Sequence, residues 1–145
     1  ATARGVHVRI LTTPLGATDN LWPQAGYVGD KDDLVKSGVE LWEYVGPECL
    51  HSKDAVIDGQ TVIVGSYNLD PRSQRLNREL ALVVESRELA AELRRRMDRH
   101  LEHAVKIDAR GYRVGSDERY PGIARKKVWQ LPMLRLLAPL VRGQL

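Results

Sequence analysis

The chain has 145 residues, a formal net charge of +3, 28% charged residues and 43% hydrophobic ones. That length and balance suit one domain with its own core and argue against reading the chain as disordered. A single cysteine rules out an internal disulfide, no apolar run reaches the roughly 18 residues of a membrane span, and no signal-peptide pattern is visible. The mild positive charge permits an anionic partner, whether nucleic acid, phospholipid or phosphate ester, without selecting one.

The opening residues Ala1 to Gly5 read as a helix end closed by its C-cap glycine. That helix has no beginning, so the chain is expected to be a piece of a longer protein. Val6 to Leu11 is β-branched and aliphatic and predicts a strand, followed by a loop broken by Pro14 and Gly16. Asp30 to Ser37 predicts a short helix stopped by Gly38, and the alternation in Val39 to Val45 predicts a second strand. Glu79 to Val84 predicts a further strand. Ser86 is the expected N-cap of a helix running to about Ala104, where Leu89, Leu93, Met97 and Leu101 form an apolar stripe suited to core packing. The order of elements predicts an α/β or mixed α+β fold. Two regions are expected: a domain over residues 1–108 and a C-terminal extension over 109–145.

The last 25 residues, Pro121 to Leu145, carry Arg125, Lys126, Lys127, Arg135 and Arg142 and no acidic residue. On a helix, Met133, Leu134, Leu136, Leu137, Leu140 and Val141 would share one face. Such a helix either docks on a partner domain or lies on an anionic membrane surface, and the ordinary meaning of amphipathicity favours docking.

Cys49 to Asp70, "CLHSKDAVIDGQTVIVGSYNLD", organises the polar residues. Asp58-Gly59 between two apolar runs predicts a two-residue type I′ hairpin turn with positive φ at both positions. Ile57 should then oppose Gln60, His51 should oppose Ser66, and Cys49 should oppose Asn68. By the period of two, His51, Lys53, Ser66 and Asn68 converge on one face at the open end. An imidazole there is a nucleophile or general acid/base, and an ammonium, hydroxyl and amide beside it can hold phosphate oxygens. Gly65 lets the backbone approach a ligand closely. The strands are apolar on both faces, which predicts a sheet covered on both sides.

The spacing His51-x-Lys53-(x)4-Asp58-(x)6-Gly65-Ser66-x-Asn68 resembles the complete HKD motif of the phospholipase D superfamily. "GSYNLDPRSQRLNRELALVVES" further resembles the second HKD half of bacterial cardiolipin synthases and their phospholipase D-like relatives. The likeness runs from about Gly5 to Ala104. It implies a metal- and cofactor-free reaction in which one histidine attacks a phosphodiester phosphorus and a second, from another HKD motif, protonates the leaving alcohol. The resemblance makes His51 one of these two. It assigns Lys53 and Asn68 to the phosphate oxygens, Ser66 to hydrogen-bonding support, and Asp58 to a structural place at the turn. Glu79 matches an acidic position that orients an imidazole.

Asp70-Pro71 reads as an N-cap followed by a first-turn proline. Arg72, Arg75 and Arg78 then recur every three residues, as headgroup ligands or as a solvated helical face. Asp19 is a weaker candidate for the pocket rim. Cys49 reads as a small hydrophobe, His100 and His103 as too few ligands for a metal, and His7 as a histidine without a partner in sequence.

One motif supplies one histidine, so a second half is expected, from a homodimer or from a preceding stretch of the same polypeptide, and the chain's opening favours the latter. The expected substrate is a phospholipid, handled on the cytoplasmic side at the bacterial inner membrane. A superfamily nuclease is the alternative, disfavoured because aromatics do not cluster with basic residues. A non-catalytic half-domain is the third reading.

Overall fold

A computed structural model of the chain describes residues 1–14, 21–47, 49–117, 133 and 136. Gly5 closes a 3-10 turn, Thr2–Arg4, with φ 82°, as the opening residues predict. The first strand, β1, is Arg9–Thr12, and α1, Leu21–Lys36, starts well before the expected Asp30. Pro23 falls in its first turn, where a missing N–H removes no helical bond. Strand β2, Glu40–Tyr44, lies parallel to β1, and β6, Ala104–Lys106, runs antiparallel on the other side of β2. A second sheet takes the order β3, Asp54–Ile57, then β4, Thr61–Gly65, then β5, Ala81–Glu85, all antiparallel. The short α2, Pro71–Arg75, links β4 to β5, and α3, Arg87–Leu101, follows β5. This is the mixed α/β architecture expected. The expected boundary at residue 108 falls in a turn that brings Arg113 and Val114 back beside β6, with Val114 N donating to Lys106 O at 2.9 Å.

Alternation along β2 builds the first layer pair. Leu41 and Glu43 are buried toward α1, with Leu41 in a core shared with Val35 and Ile107. Tyr44 points the other way, its ring 5.5 Å from that of His100 on α3. Helix α3 packs on β2 and β6 of one sheet and on β3 and β4 of the other. Ser86 caps it as predicted, its Oγ accepting from Leu89 N at 3.2 Å. Ala90 and Val62 are buried on α3 and β4.

The hairpin departs from its expected register. Asp58 and Gly59 do adopt positive φ, 52° and 67°, and Gln60 N donates to Ile57 O at 3.1 Å, closing the two-residue turn. The ladder nevertheless pairs Ile57 with Thr61, leaving Gln60 as an extra residue. Its carbonyl accepts instead from Ser86 N at 2.8 Å, tying the turn to the cap of α3. Every rung therefore slips by one, and Lys53 meets Gly65, whose N–H donates to Lys53 O at 3.0 Å. The expected double cover is also corrected. Among the described residues Val83 and Leu82 of β5 are 59% and 63% exposed, one on each face of the sheet. Cys49 is exposed rather than buried.

Two charged hubs escape local pattern reading. Lys31 of α1 and Glu43 of β2, 1% and 0% exposed, form an ion pair of 2.8 Å, and the Tyr27 hydroxyl donates to the same carboxylate oxygen. Glu43 Oε2 is buried without a hydrogen-bond partner among the described residues. Glu40 gathers Trp42 Nε1 at 2.9 Å, His7 Nε2 at 2.8 Å and Lys106 Nζ at 3.2 Å, so His7 has a partner after all. Partial burial, the largest single influence, raises the Glu40 pKa. The bonds from Trp42, His7 and Lys106 and the charge of Arg9 outweigh it and bring the value down to about 2.

Removing one member of the buried pair leaves an uncompensated charge. Lys31→Met should therefore cost about 3–5 kcal/mol in urea unfolding, and adding Glu43→Leu should recover most of it. A folded-state pKa below the ordinary 4.5 means that ionised Glu40 favours the fold above that pH and ceases to as pH falls toward 2. Glu40→Gln should flatten that part of a stability-versus-pH curve, and an unchanged curve would remove Glu40 from the acid transition.

Candidate active site

The open end of the hairpin lies where β3 and β4 leave their ladder. Past Gly65 the chain follows β5 instead of β3: Ser66 N donates to Leu80 O at 2.9 Å, and Leu80 N donates to Ser66 Oγ at 3.1 Å. This turn toward β5 is what brings Ser66 to Glu79. The Ser66 hydroxyl hydrogen-bonds Glu79 Oε2, while Oε1 accepts from Ser73 Oγ at 2.7 Å and from Asn77 Nδ2 at 3.0 Å. Ser73, only 5% exposed, also accepts from Asn68 N at 3.2 Å. Asp70 caps α2 as expected, accepting from Ser73 N at 2.8 Å through Oδ1, so the cap places the serine.

Glu79 is thus the centre of the cluster. The hydroxyls of Ser66 and Ser73, then the Asn77 amide, lower its pKa; desolvation opposes them and the nearby Lys53 charge assists. Lys53 stands just before β3, and its Nζ donates to His51 O at 2.9 Å. Hydrogen bonds therefore bring Ser66, Ser73, Asn77 and Glu79 together, with the Asn68 backbone joined through Ser73 and the Lys53 charge near enough to act on the carboxylate.

Face parity, which predicted convergence of His51, Lys53, Ser66 and Asn68, does not account for this. With the observed register, Ser66 and Asn68 fall on the opposite ladder face from Lys53. The contact arises from the turn toward β5. The His51 ring and the Asn68 amide are exposed and make no side-chain hydrogen bond among the described residues. Asp58 occupies the turn as expected, five residues from Lys53, roughly 16 Å along an extended strand, so it does not enter the cluster. Gly65 also has a packing reason. A Cβ there would strike the carbonyl oxygen of Leu80 and stand 3.0 Å from Ala81 Cα, so the glycine admits β5.

The three arginines do not form one helical face, because α2 ends at Arg75. Arg72 is its second residue, and Arg75 and Arg78 are exposed. Arg75 borders an open cleft of about 510 Å³ between α1 and the segment after β4, beside Asp30, Asp33 and Asp70. Asp19 and most of Pro121 to Leu145 lie outside the described residues; Met133 and Leu136 are 48% and 77% exposed. Among the described residues no group of three or more histidines, cysteines and carboxylates could hold a metal, and no helix is long and apolar enough to cross a membrane.

Sequence reading missed Ser73 and Asn77. Asn77 carries a usable signal, since i and i+2 spacing puts it on the face of Glu79 in an extended segment. Ser73 carries none, because its hydroxyl is recruited by residues on both sides of a five-residue helix.

A mixed sheet fold with an HKD segment leading into this carboxylate cluster is phospholipase D-like. A family model described as "Cardiolipin synthase, PLD-like domain" matches residues 1–101, and the chain belongs to that family. It is 38% identical over 104 residues to cardiolipin synthase C of Escherichia coli, covering 60% of this chain and 22% of the relative. It is 33% identical over 112 residues to cardiolipin synthase A of Erwinia tasmaniensis, covering 76% and 22%. The chain thus spans about a fifth of the length of these relatives. Its fold resembles a phospholipase D family member, Nuc of Salmonella typhimurium (TM-score 0.57, 21% identity, 74% of this chain and 68% of that one). It also resembles phosphatidylserine synthase of Haemophilus influenzae (TM-score 0.59, 15% identity, 99% and 35%).

A carbon-13 titration should find the Glu79 carboxyl below the ordinary 4.5. Ser66→Ala should move it back up, and a value that stays put would show that the hydroxyl does not hold it.

Proposed function

We propose that the chain is one catalytic half of a phospholipid phosphodiesterase or phosphatidyltransferase of the cardiolipin synthase kind. The observation that carries this reading is the surface beside the Glu79 cluster. Leu69, Leu76 and Leu80, next in sequence to Asn68, Asn77 and Glu79, are 71%, 60% and 79% exposed, and Arg75 and Arg78 are exposed in the same segment. Exposed leucines and arginines in the segment that carries the polar cluster suit an amphiphilic phosphodiester better than a nucleic-acid backbone. Family membership supports the same chemistry.

In this reading two histidines share the work. One imidazole nitrogen attacks phosphorus, a P–N bond forms, and the alcohol leaves with a proton from the other histidine. That second histidine then takes a proton from water or an acceptor alcohol, which displaces the first and breaks the P–N bond. His51 is one of the pair. Lys53 and Asn68 hold the non-bridging oxygens as charge develops, and Ser66 fixes Glu79. The three bonds to Glu79 leave its carboxylate acceptor capacity for one more donor, which an imidazole N–H of a second HKD half would fill. That half comes from the same polypeptide or from a second copy. Asp58 and Gly65 serve the hairpin, and the reaction takes place at a membrane surface on the cytoplasmic side.

The test uses the intact protein that carries this chain, phosphatidylglycerol liposomes, labelled DNA and a chelator. Lipid turnover should survive the chelator and fall at least roughly 10²-fold in His51→Ala. Cleavage of DNA in place of lipid, or full activity in the variant, would overturn the reading.

A further inference from the structure

Ser73 lies outside the HKD spacing, yet every bond it makes has a fixed direction. The first turn of α2 is pinned by Asp70, whose Oδ1 accepts from Ser73 N at 2.8 Å and whose carbonyl accepts from Gln74 N at 3.1 Å. A backbone N–H can only donate, so the 3.2 Å bond from Asn68 N makes Ser73 Oγ an acceptor there. An ionised carboxylate can only accept, so the one hydroxyl proton goes to Glu79 Oε1 at 2.7 Å. Ser66 repeats the pattern at the other oxygen. Its Oγ accepts from Leu80 N at 3.1 Å and donates to Glu79 Oε2. Each carboxylate oxygen is thus gripped by a hydroxyl that a backbone N–H holds in turn.

We propose that Ser73 is a positioning residue for the reaction, acting through Glu79 to set the plane of its carboxylate. The inference rests on the reading of Glu79 as the acceptor for an imidazole N–H. The last torsion of a glutamate is broad, so a bond to one oxygen leaves the plane of the carboxylate loosely defined. Bonds to both oxygens fix the plane, and with it the direction of the remaining lone pairs. The two serines differ in what can replace them. Ser66 is exposed, and water can reach its place. Ser73 is 5% exposed, so its loss leaves the Asn68 N–H without a ready substitute. Asn77 bonds the same oxygen as Ser73, but from an exposed position where water competes for its amide.

The test uses the intact protein that carries this chain and two variants, Ser73→Cys and Ser73→Ala. Cysteine keeps nearly the size of serine but donates weakly, so it preserves packing and loses the bond. Both variants should lower kcat by roughly tenfold or more, as misplaced groups do, with KM changed by less than about threefold. In both, a carbon-13 titration should find the Glu79 carboxyl moved up toward the ordinary 4.5, because a donor to the charged form is gone. Full activity in Ser73→Cys with loss in Ser73→Ala would show that Ser73 only fills space, and would overturn the proposal. So would a fall in kcat with the carboxyl unmoved, or a moved carboxyl with kcat unchanged. If the parent cleaves DNA in place of lipid, the same variants are measured on DNA: the lipid reading then fails while the part played by Ser73 is still decided.

Discussion

The apolar stripe of α3 is the constraint on which the arrangement rests. No β-ladder joins the two sheets among the described residues. Between them stand a side-chain bond from Thr13 to Leu50 and a helix that touches both. The same helix fixes the hairpin, because the N–H of its cap residue takes the Gln60 carbonyl out of the turn. Helix position, strand register and the placing of Lys53 against Gly65 are therefore a single packing problem.

The Glu79 cluster follows from that register. With Lys53 on the rung of Gly65, the chain beyond Gly65 is released from β3 and follows β5, and this alone carries Ser66 to the carboxylate. Gly65 permits it, since a side chain there would collide with the Leu80 carbonyl. The candidate site in this domain is thus built from the end of a sheet. A carboxylate with three neutral donors remains a strong acceptor, suited to holding a cation or an N–H.

Local signals in the sequence proved readable where their physics is local. Gly5, Asp58-Gly59, Asp70-Pro71 and Ser86 each do what their conformational preferences dictate. The register was not readable, because the partner that captures Gln60 lies 26 residues further along. The same holds for Lys31 with Glu43 and for His7 with Glu40, which are pairs between elements. The early start of α1 was hidden by Pro23, Gly26 and Gly29, residues whose local preferences read as breakers. The candidate site was legible as a set of residue types and spacings, while its centre of gravity, Glu79 with Ser73 and Asn77, was a product of folding.

Among the described residues the outer edges of β1 and β3 have no ladder partner, and they face each other across a groove floored by α3. Each edge carries backbone donors and acceptors that another strand could use. The fold keeps both turned inward, where another copy reaches them less readily than on an outer rim.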